Sequence, residues 1–160
     1  MAIYTNKDVM VQTLKKRIGS DRQTAWKALK RIYENQTRDE QRQKTTKEDN
    51  GVGFTSLDAQ FLTSLAVQYI DRGFLSEKQT SFLFTLMPKY AKQLVNGSIA
   101  EGKIVHKYGK YFTAKSDLVQ YETELAKENE RRVKTDLYWK DLFAQEERRQ
   151  EERAFLSKEW

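Results

Sequence analysis

Residues 56–97 read SLDAQFLTSLAVQYIDRGFLSEKQTSFLFTLMPKYAKQLVNG, and this stretch decides the fold. Phe61, Leu62, Leu65, Ala66, Tyr69 and Ile70 recur at spacings of three and four, the period of one helix face. The run predicts a helix over Ser56–Arg72, opened by a capping signature of Thr55 with Asp58 and stopped by Gly73. A second helix starts at Ser76, with Gln79 as its capping partner, and carries Phe82, Leu83, Leu86, Met87, Tyr90, Ala91 and Leu94. Pro88 lacks an N–H and clashes with the preceding turn, so it kinks that helix or begins a fresh one. Asn96-Gly97 is expected to close it. Joined by so short a turn, the two helices read as an antiparallel pair.

Upstream, a helix is expected from Asn6 to Ile18, capped by Thr5 with Asp8 and stopped by Gly19, with Val11, Leu14 and Ile18 on one face. The next is capped by Ser20 with Gln23 and buries Trp26, Leu29, Ile32 and Tyr33. Residues 35–50 contain no apolar side chain to anchor them and read as a polar linker. Downstream, Lys103–Thr113 (KIVHKYGKYFT) alternates like a hairpin around Tyr108-Gly109. From Ser116 a helix runs nearly to Trp160, with Leu118, Tyr121, Leu125, Val133, Leu137, Leu142 and Phe143 along its contact side.

The expected fold is therefore mainly α: a compact helical bundle with one β-hairpin and a long C-terminal helix. Its divisions are a basic helical hairpin (1–34), a polar linker (35–50), a helical-pair module (51–97), a β-hairpin (98–115) and a long charged helix (116–160). One domain plus a protruding helix is the expected sum. Its centre is expected to gather Trp26, Leu29, Phe61, Leu65, Leu83 and Leu86.

Composition narrows the function classes. The 160 residues are 38% hydrophobic and 32% charged, more polar than a typical globular chain, while 12% aromatics argue against wholesale disorder. No cysteine is present, which removes disulfides and thiolate chemistry. The first residues lack the apolar run of a signal peptide, and no stretch approaches a membrane span, so a cytoplasmic location (the host cytosol for a phage product) is expected. The net charge of +6 is uneven: residues 1–115 carry 20 Lys/Arg against 11 Asp/Glu, and residues 116–160 carry 9 against 12. Such asymmetry favours an acidic partner, nucleic acid above all.

Catalytic patterns are missing. His106 is the sole histidine and falls in the predicted hairpin; no HExxH, calcium-loop or phosphate-loop pattern occurs. No enzyme activity, cofactor or metal is expected, although dispersed carboxylates converging on a metal would make a nuclease. Gly51 and Gly53 before a helix would suit a phosphate cradle, but Asp58 in the first turn is expected to occupy the amides and repel an anion. The plainer reading is a turn that packs Phe54 under the helix.

Two basic groups suit nucleic acid. Lys15, Lys16, Arg17, Arg22, Lys27, Lys30 and Arg31 cluster on two consecutive helices, where a shared side would track a phosphate backbone. They equally suit the outer faces of any amphipathic helix. Lys107, Tyr108, Lys110 and Tyr111 in the hairpin interleave lysine with aromatics, the composition of a platform for unpaired bases, although Tyr is also simply a good strand former. A protein-binding surface is expected at Leu137, Trp139, Leu142, Phe143, Arg148 and Arg149, as an amphipathic helix in a groove or a coiled coil, including a homo-oligomer.

The residues Asn50-Gly51-Val52-Gly53-Phe54, Asp58-Ala59, Phe61, Ser64-Leu65, Gly73, Leu75-Ser76, Lys78-Gln79 and Lys89-Tyr90-Ala91-Lys92-Gln93-Leu94 resemble a small module of uncharacterised phage and plasmid proteins. That module is also appended to some helicase-like proteins, and the resemblance spans roughly residues 25–95. It implies mobile-element biology and, by association, nucleic-acid transactions; it implies no particular activity. Two expectations result. One is an accessory protein that binds nucleic acid, or a complex processing it, through basic surfaces. The other is a factor that inhibits or redirects a host defence machine through its C-terminal helix.

Overall fold

The computed structural model describes residues 3–36 and 52–157; most of the 35–50 stretch lies outside them. The elements run β1 (Ile3–Tyr4), α1 (Lys7–Ile18), α2 (Arg22–Glu34), α3 (Ser56–Arg72), α4 (Glu77–Leu86), a 3-10 turn (Met87–Tyr90), α5 (Ala91–Ala100), β2 (Val105–Lys107), β3 (Lys110–Phe112) and α6 (Lys115–Leu156). The mainly α class, the hairpin and the long final helix are all present. Two compact units divide the chain, residues 1–114 and residues 115–160.

In the first unit α2 is the hub. It packs against α1, α3, α4 and α5, and Ala25, Trp26, Ala28, Leu29 and Ile32 are all buried along it. Helices α3 and α4 run antiparallel where they touch, as expected, but the larger contact of each is with α2. Both lay their buried faces on α2, and they meet each other through Gln68–Gln79 hydrogen bonds and the Phe61–Phe82 edge contact. The core gathers Ile18, Leu29, Ile32, Phe54, Leu62, Leu65, Leu83 and Met87. Phe61, expected at its centre, is exposed beside an equally exposed Phe82, and Ile70 is exposed too, because the face directed at α2 is narrower than the apolar stripe. Leu86 packs on the core only partly buried.

Several helix ends differ from expectation. Asn6, not Thr5, caps α1 by accepting from the Asp8 N–H at 2.7 Å. Asp21, not Ser20, caps α2 by accepting from the Thr24 N–H at 2.7 Å; the Ser20 hydroxyl instead donates back to the Lys16 carbonyl at 2.9 Å. Where two adjacent residues can cap, the stronger acceptor beside the first turn takes the role. The Ser76–Gln79 capping box of α4 is present in both directions. Pro88 starts a fresh turn at the 3-10 segment. Past it, α5 runs through Asn96-Gly97 to Ala100. It ends where Gly102 takes φ 70° and the Gly102 and Lys103 N–H groups donate to the Ile99 and Ser98 carbonyls.

The hairpin turns on Tyr108-Gly109, both at positive φ, as a tight two-residue connection requires. A third strand was not foreseen: β1 pairs antiparallel with β3, Ile3 opposite Phe112, so the order is β1-β3-β2. A lone hairpin is marginal in water, and the added strand and the fully buried Phe112 tie this one down.

The second unit is α6, a continuous helix of 42 residues, about 63 Å at the α-helical rise. It opens at Lys115, so Ser116 stands inside the first turn. None of its residues is buried.

Candidate functional site

The glycine loop is held by side chains of the 3-10 turn and α5. Gly53 is buried at φ 89°, and a Cβ there would lie 2.7 Å from the Gln36 Cγ, so both conformation and space require glycine. The Gln93 amide, oriented to satisfy both groups, accepts from the Gly53 N–H at 2.5 Å and donates to its carbonyl at 3.2 Å. The Thr55 N–H donates to the Tyr90 hydroxyl at 3.0 Å, and that hydroxyl donates to Asp58 Oδ2 at 2.8 Å. Lys89 closes the array as an ion pair with Asp58. Beneath it the Phe54 ring meets Tyr90 edge-on at 5.8 Å.

Burial pushes the Tyr90 phenol above its ordinary value, and Asp58 adds to the effect against the opposing Thr55 hydrogen bonds. Desolvation would lower Lys89, but its hydrogen bond to Asp58 and its neighbours raise it overall. The carboxylate of Asp58 thus serves Tyr90 and Lys89. No side-chain cap bond forms at the start of α3, which corrects the expected Thr55–Asp58 cap. With the Gly53 amide engaged by Gln93 and the Thr55 amide by Tyr90, the loop does not offer these groups to a phosphate. Phe54 is 1% exposed, as the plainer reading expects of a packed turn. Gly51 lies outside the described residues.

This latch is the constellation the residue-by-residue reading missed. Its members, Gly53, Phe54, Thr55, Asp58, Lys89, Tyr90 and Gln93, assemble a loop lock. A further surprise is Gln36. Placed at the start of the polar linker by its sequence, it is buried, and its side-chain oxygen accepts from the Thr63 hydroxyl at 3.3 Å.

The basic residues of α1 and α2 separate into two sets. Arg31 forms an ion pair with Glu101, which also holds Lys103 at 2.8 Å, so Arg31 fastens α2 to the end of α5. Lys30 approaches Glu34 at 3.8 Å along its own helix, while Arg22 lies over the Trp26 ring at 5.8 Å and 3.9 Å from Glu77. The other set, Lys15, Lys16, Arg17 and Lys27, is exposed. Asp21 caps α2 in the turn that joins it to α1. Hydrogen bonds from the Thr24 hydroxyl and amide draw its carboxyl below the ordinary aspartate value, and the charges of Arg17 and Lys27 draw it further. Lys15, Lys16 and Arg17 stand in the last turn of α1 and Lys27 in the first half of α2, so the four flank the α1–α2 turn along the chain. Lysines at a helix C-terminus also complement its dipole, a sufficient structural reason for two of the four.

In the hairpin, Lys107 lies over the Tyr108 ring at 5.0 Å, with Tyr108 exposed at the tip. Tyr111 stacks on His106 across the strands at 4.3 Å between centroids, so one face of each ring is already covered. Lys110 is half-buried.

On α6, every described residue from Ala126 onward is exposed, including Leu137, Trp139, Leu142, Phe143, Arg148 and Arg149. The Trp139 ring meets near neighbours on its own helix, Tyr138 at 5.6 Å and Phe143 at 6.1 Å between centroids. Arg149 approaches Glu146 at 3.6 Å, and Arg148 Nε donates to the Ala144 carbonyl at 3.2 Å.

No protein family, curated protein or solved structure matches this chain. Among the described residues no helix is long and apolar enough to cross a membrane, and no group of three or more His, Asp or Glu side chains is placed to hold a metal ion.

Proposed function

We propose that this protein is a mobile-element accessory protein that binds nucleic acid, gripping the phosphate backbone with the exposed cations of the α1–α2 corner. One observation carries the reading. Lys15, Lys16, Arg17 and Lys27 stand exposed on the two helices that flank the α1–α2 turn, in a unit with a large excess of positive charge. Cations so placed release counterions from a phosphate chain, which gives binding indifferent to sequence and sensitive to salt. The Lys107–Tyr108 tip adds an exposed ring on which an unpaired base can stack. Arg31 and Lys30 are left out of this surface because carboxylates engage them. No catalytic step is part of this reading.

Mobility of labelled duplex and single-stranded oligonucleotides at low salt tests the proposal. Retardation of at least one, abolished by reversing Lys15, Lys16, Arg17 and Lys27 to glutamate, is the expected result. Unchanged mobility of both would remove the reading.

A second reading, a factor that docks on a host protein through α6, draws on the run of exposed residues from Ala126 onward that contains Trp139, Leu142 and Phe143. Affinity capture with and without nuclease treatment separates the two. Material lost on nuclease treatment follows the first reading, and a nuclease-resistant protein lost on deleting residues 130–160 follows the second.

A further inference from the structure

The exposed segment of α6 is its own charge complement when reversed. Numbered outward from Trp139, Arg132 and Arg131 on one side stand at the same distance as Glu146 and Glu147 on the other. Glu130 likewise matches Arg148, and Lys127 matches Glu151. Wherever both positions of such a matched pair in 127–151 are charged, the signs are opposite; no like-charged pair occurs. Shifting the centre by half a residue, to lie between Trp139 and Lys140, sets Arg131 against Arg148, and shifting it by one residue, to Lys140, sets Arg132 against Arg148. In a parallel, in-register pair every charge would meet its own kind.

Of these pairs, Arg132 and Glu146 share the face of Trp139 and Arg131 and Glu147 flank it, whereas Glu130 and Arg148, nine residues away, lie on the opposite side. Leu125, Arg132, Trp139, Glu146 and Arg153 recur every seven residues along an uninterrupted helix, and Phe143 lies one turn from Trp139. Trp139, Leu142 and Phe143 are left uncovered at the middle of the symmetric stretch, where a large aromatic contributes most to an interface. We propose that α6 pairs antiparallel with α6 of a second copy of this chain, about a two-fold axis at Trp139. Trp139 meets its counterpart there, and Arg132 of each copy faces Glu146 of the other. Such an interface is isologous and closes at two copies. Its polar seam makes the association weak and dependent on concentration and salt. The proposal goes beyond the nucleic-acid reading and stands independently of it, since none of the α1–α2 cations takes part.

Sedimentation of the full-length protein, from low micromolar to the highest soluble concentration at low salt, tests it with two variants. The native chain is expected to dimerise. Arg131→Glu with Arg132→Glu sets glutamate against glutamate and should weaken the dimer by about tenfold or more. Adding Glu146→Arg and Glu147→Arg to those two changes exchanges the charges and should restore association to near the native level. Circular dichroism checks that each variant keeps its helix. A parallel pair, in which like already meets like, would give equal association for all three proteins and overturn the proposal. A native chain that stays monomeric throughout would overturn it as well and leave the helix to a different protein.

Discussion

The two units of this chain place their aromatic residues in opposite ways. In residues 1–114 a large ring near the centre has a partner and, where it carries a polar atom, a hydrogen bond. Trp26 packs on Tyr69 and its N–H donates to the Thr80 hydroxyl at 3.0 Å, while Phe54 packs on Tyr90, whose hydroxyl joins Thr55 to Asp58. In α6, Trp139, Tyr138 and Phe143 touch one another along a single helix and stay exposed. The first arrangement holds a fold. The second leaves its rings to solvent, where they add little to the stability of the isolated helix.

The contrast can be broken at its strongest point first. Phe54→Ala removes a fully buried ring from under the loop and should cost about 3–5 kcal/mol of unfolding free energy, read by urea denaturation. A cost near zero would show that the loop is not part of the core. Tyr90→Phe keeps the ring but removes the hydroxyl that links Thr55 to Asp58, with an expected loss of about 1–3 kcal/mol.

The same hydroxyl gives the latch an alkaline limit. Its folded pKa is raised, chiefly by burial, so its contribution is complete below the ordinary tyrosine value and is lost as pH rises through the higher folded one. Ultraviolet titration should find Tyr90 ionising after the exposed tyrosines, together with loss of the folded signal. Early ionisation of all eight tyrosines would contradict the latch. At the small end, Trp139→Ala in dilute protein should shift stability by less than about 0.5 kcal/mol. A loss comparable to that of Phe54→Ala would erase the distinction between the units.

How legible all this was depended on how local the deciding physics is. The α3 bounds and the Ser76–Gln79 cap follow from spacing and capping chemistry within a few residues, and both were readable. So was the Tyr108-Gly109 turn. The caps at Asn6 and Asp21 were missed by one residue because neighbouring side chains compete for the same amides. Packing over distance was less visible. That α3 and α4, an antiparallel pair, both lie on α2 is decided by apolar surfaces far apart in sequence, and Phe61 was placed in the core because periodicity records a stripe and not its width. β1 is two residues long, too short to show alternation. The latch joins residues 35 positions apart, too far for periodicity or capping chemistry to connect them. In the basic group, Glu101 is 70 positions from Arg31, so nothing local separates the clamp from the exposed corner.

The central functional claim is that four exposed cations, and not the basic residues engaged by carboxylates, meet phosphate. It is tested most directly by fluorescence anisotropy of a labelled duplex across a salt series, comparing the native chain with a variant in which Lys15, Lys16, Arg17 and Lys27 are all glutamine. The logarithm of affinity should fall linearly with that of salt concentration, and the variant's slope should be shallower by about 3–4, roughly 0.9 for each lost phosphate contact. Equal slopes for the two proteins, or no binding by the native chain at low salt, would contradict the account.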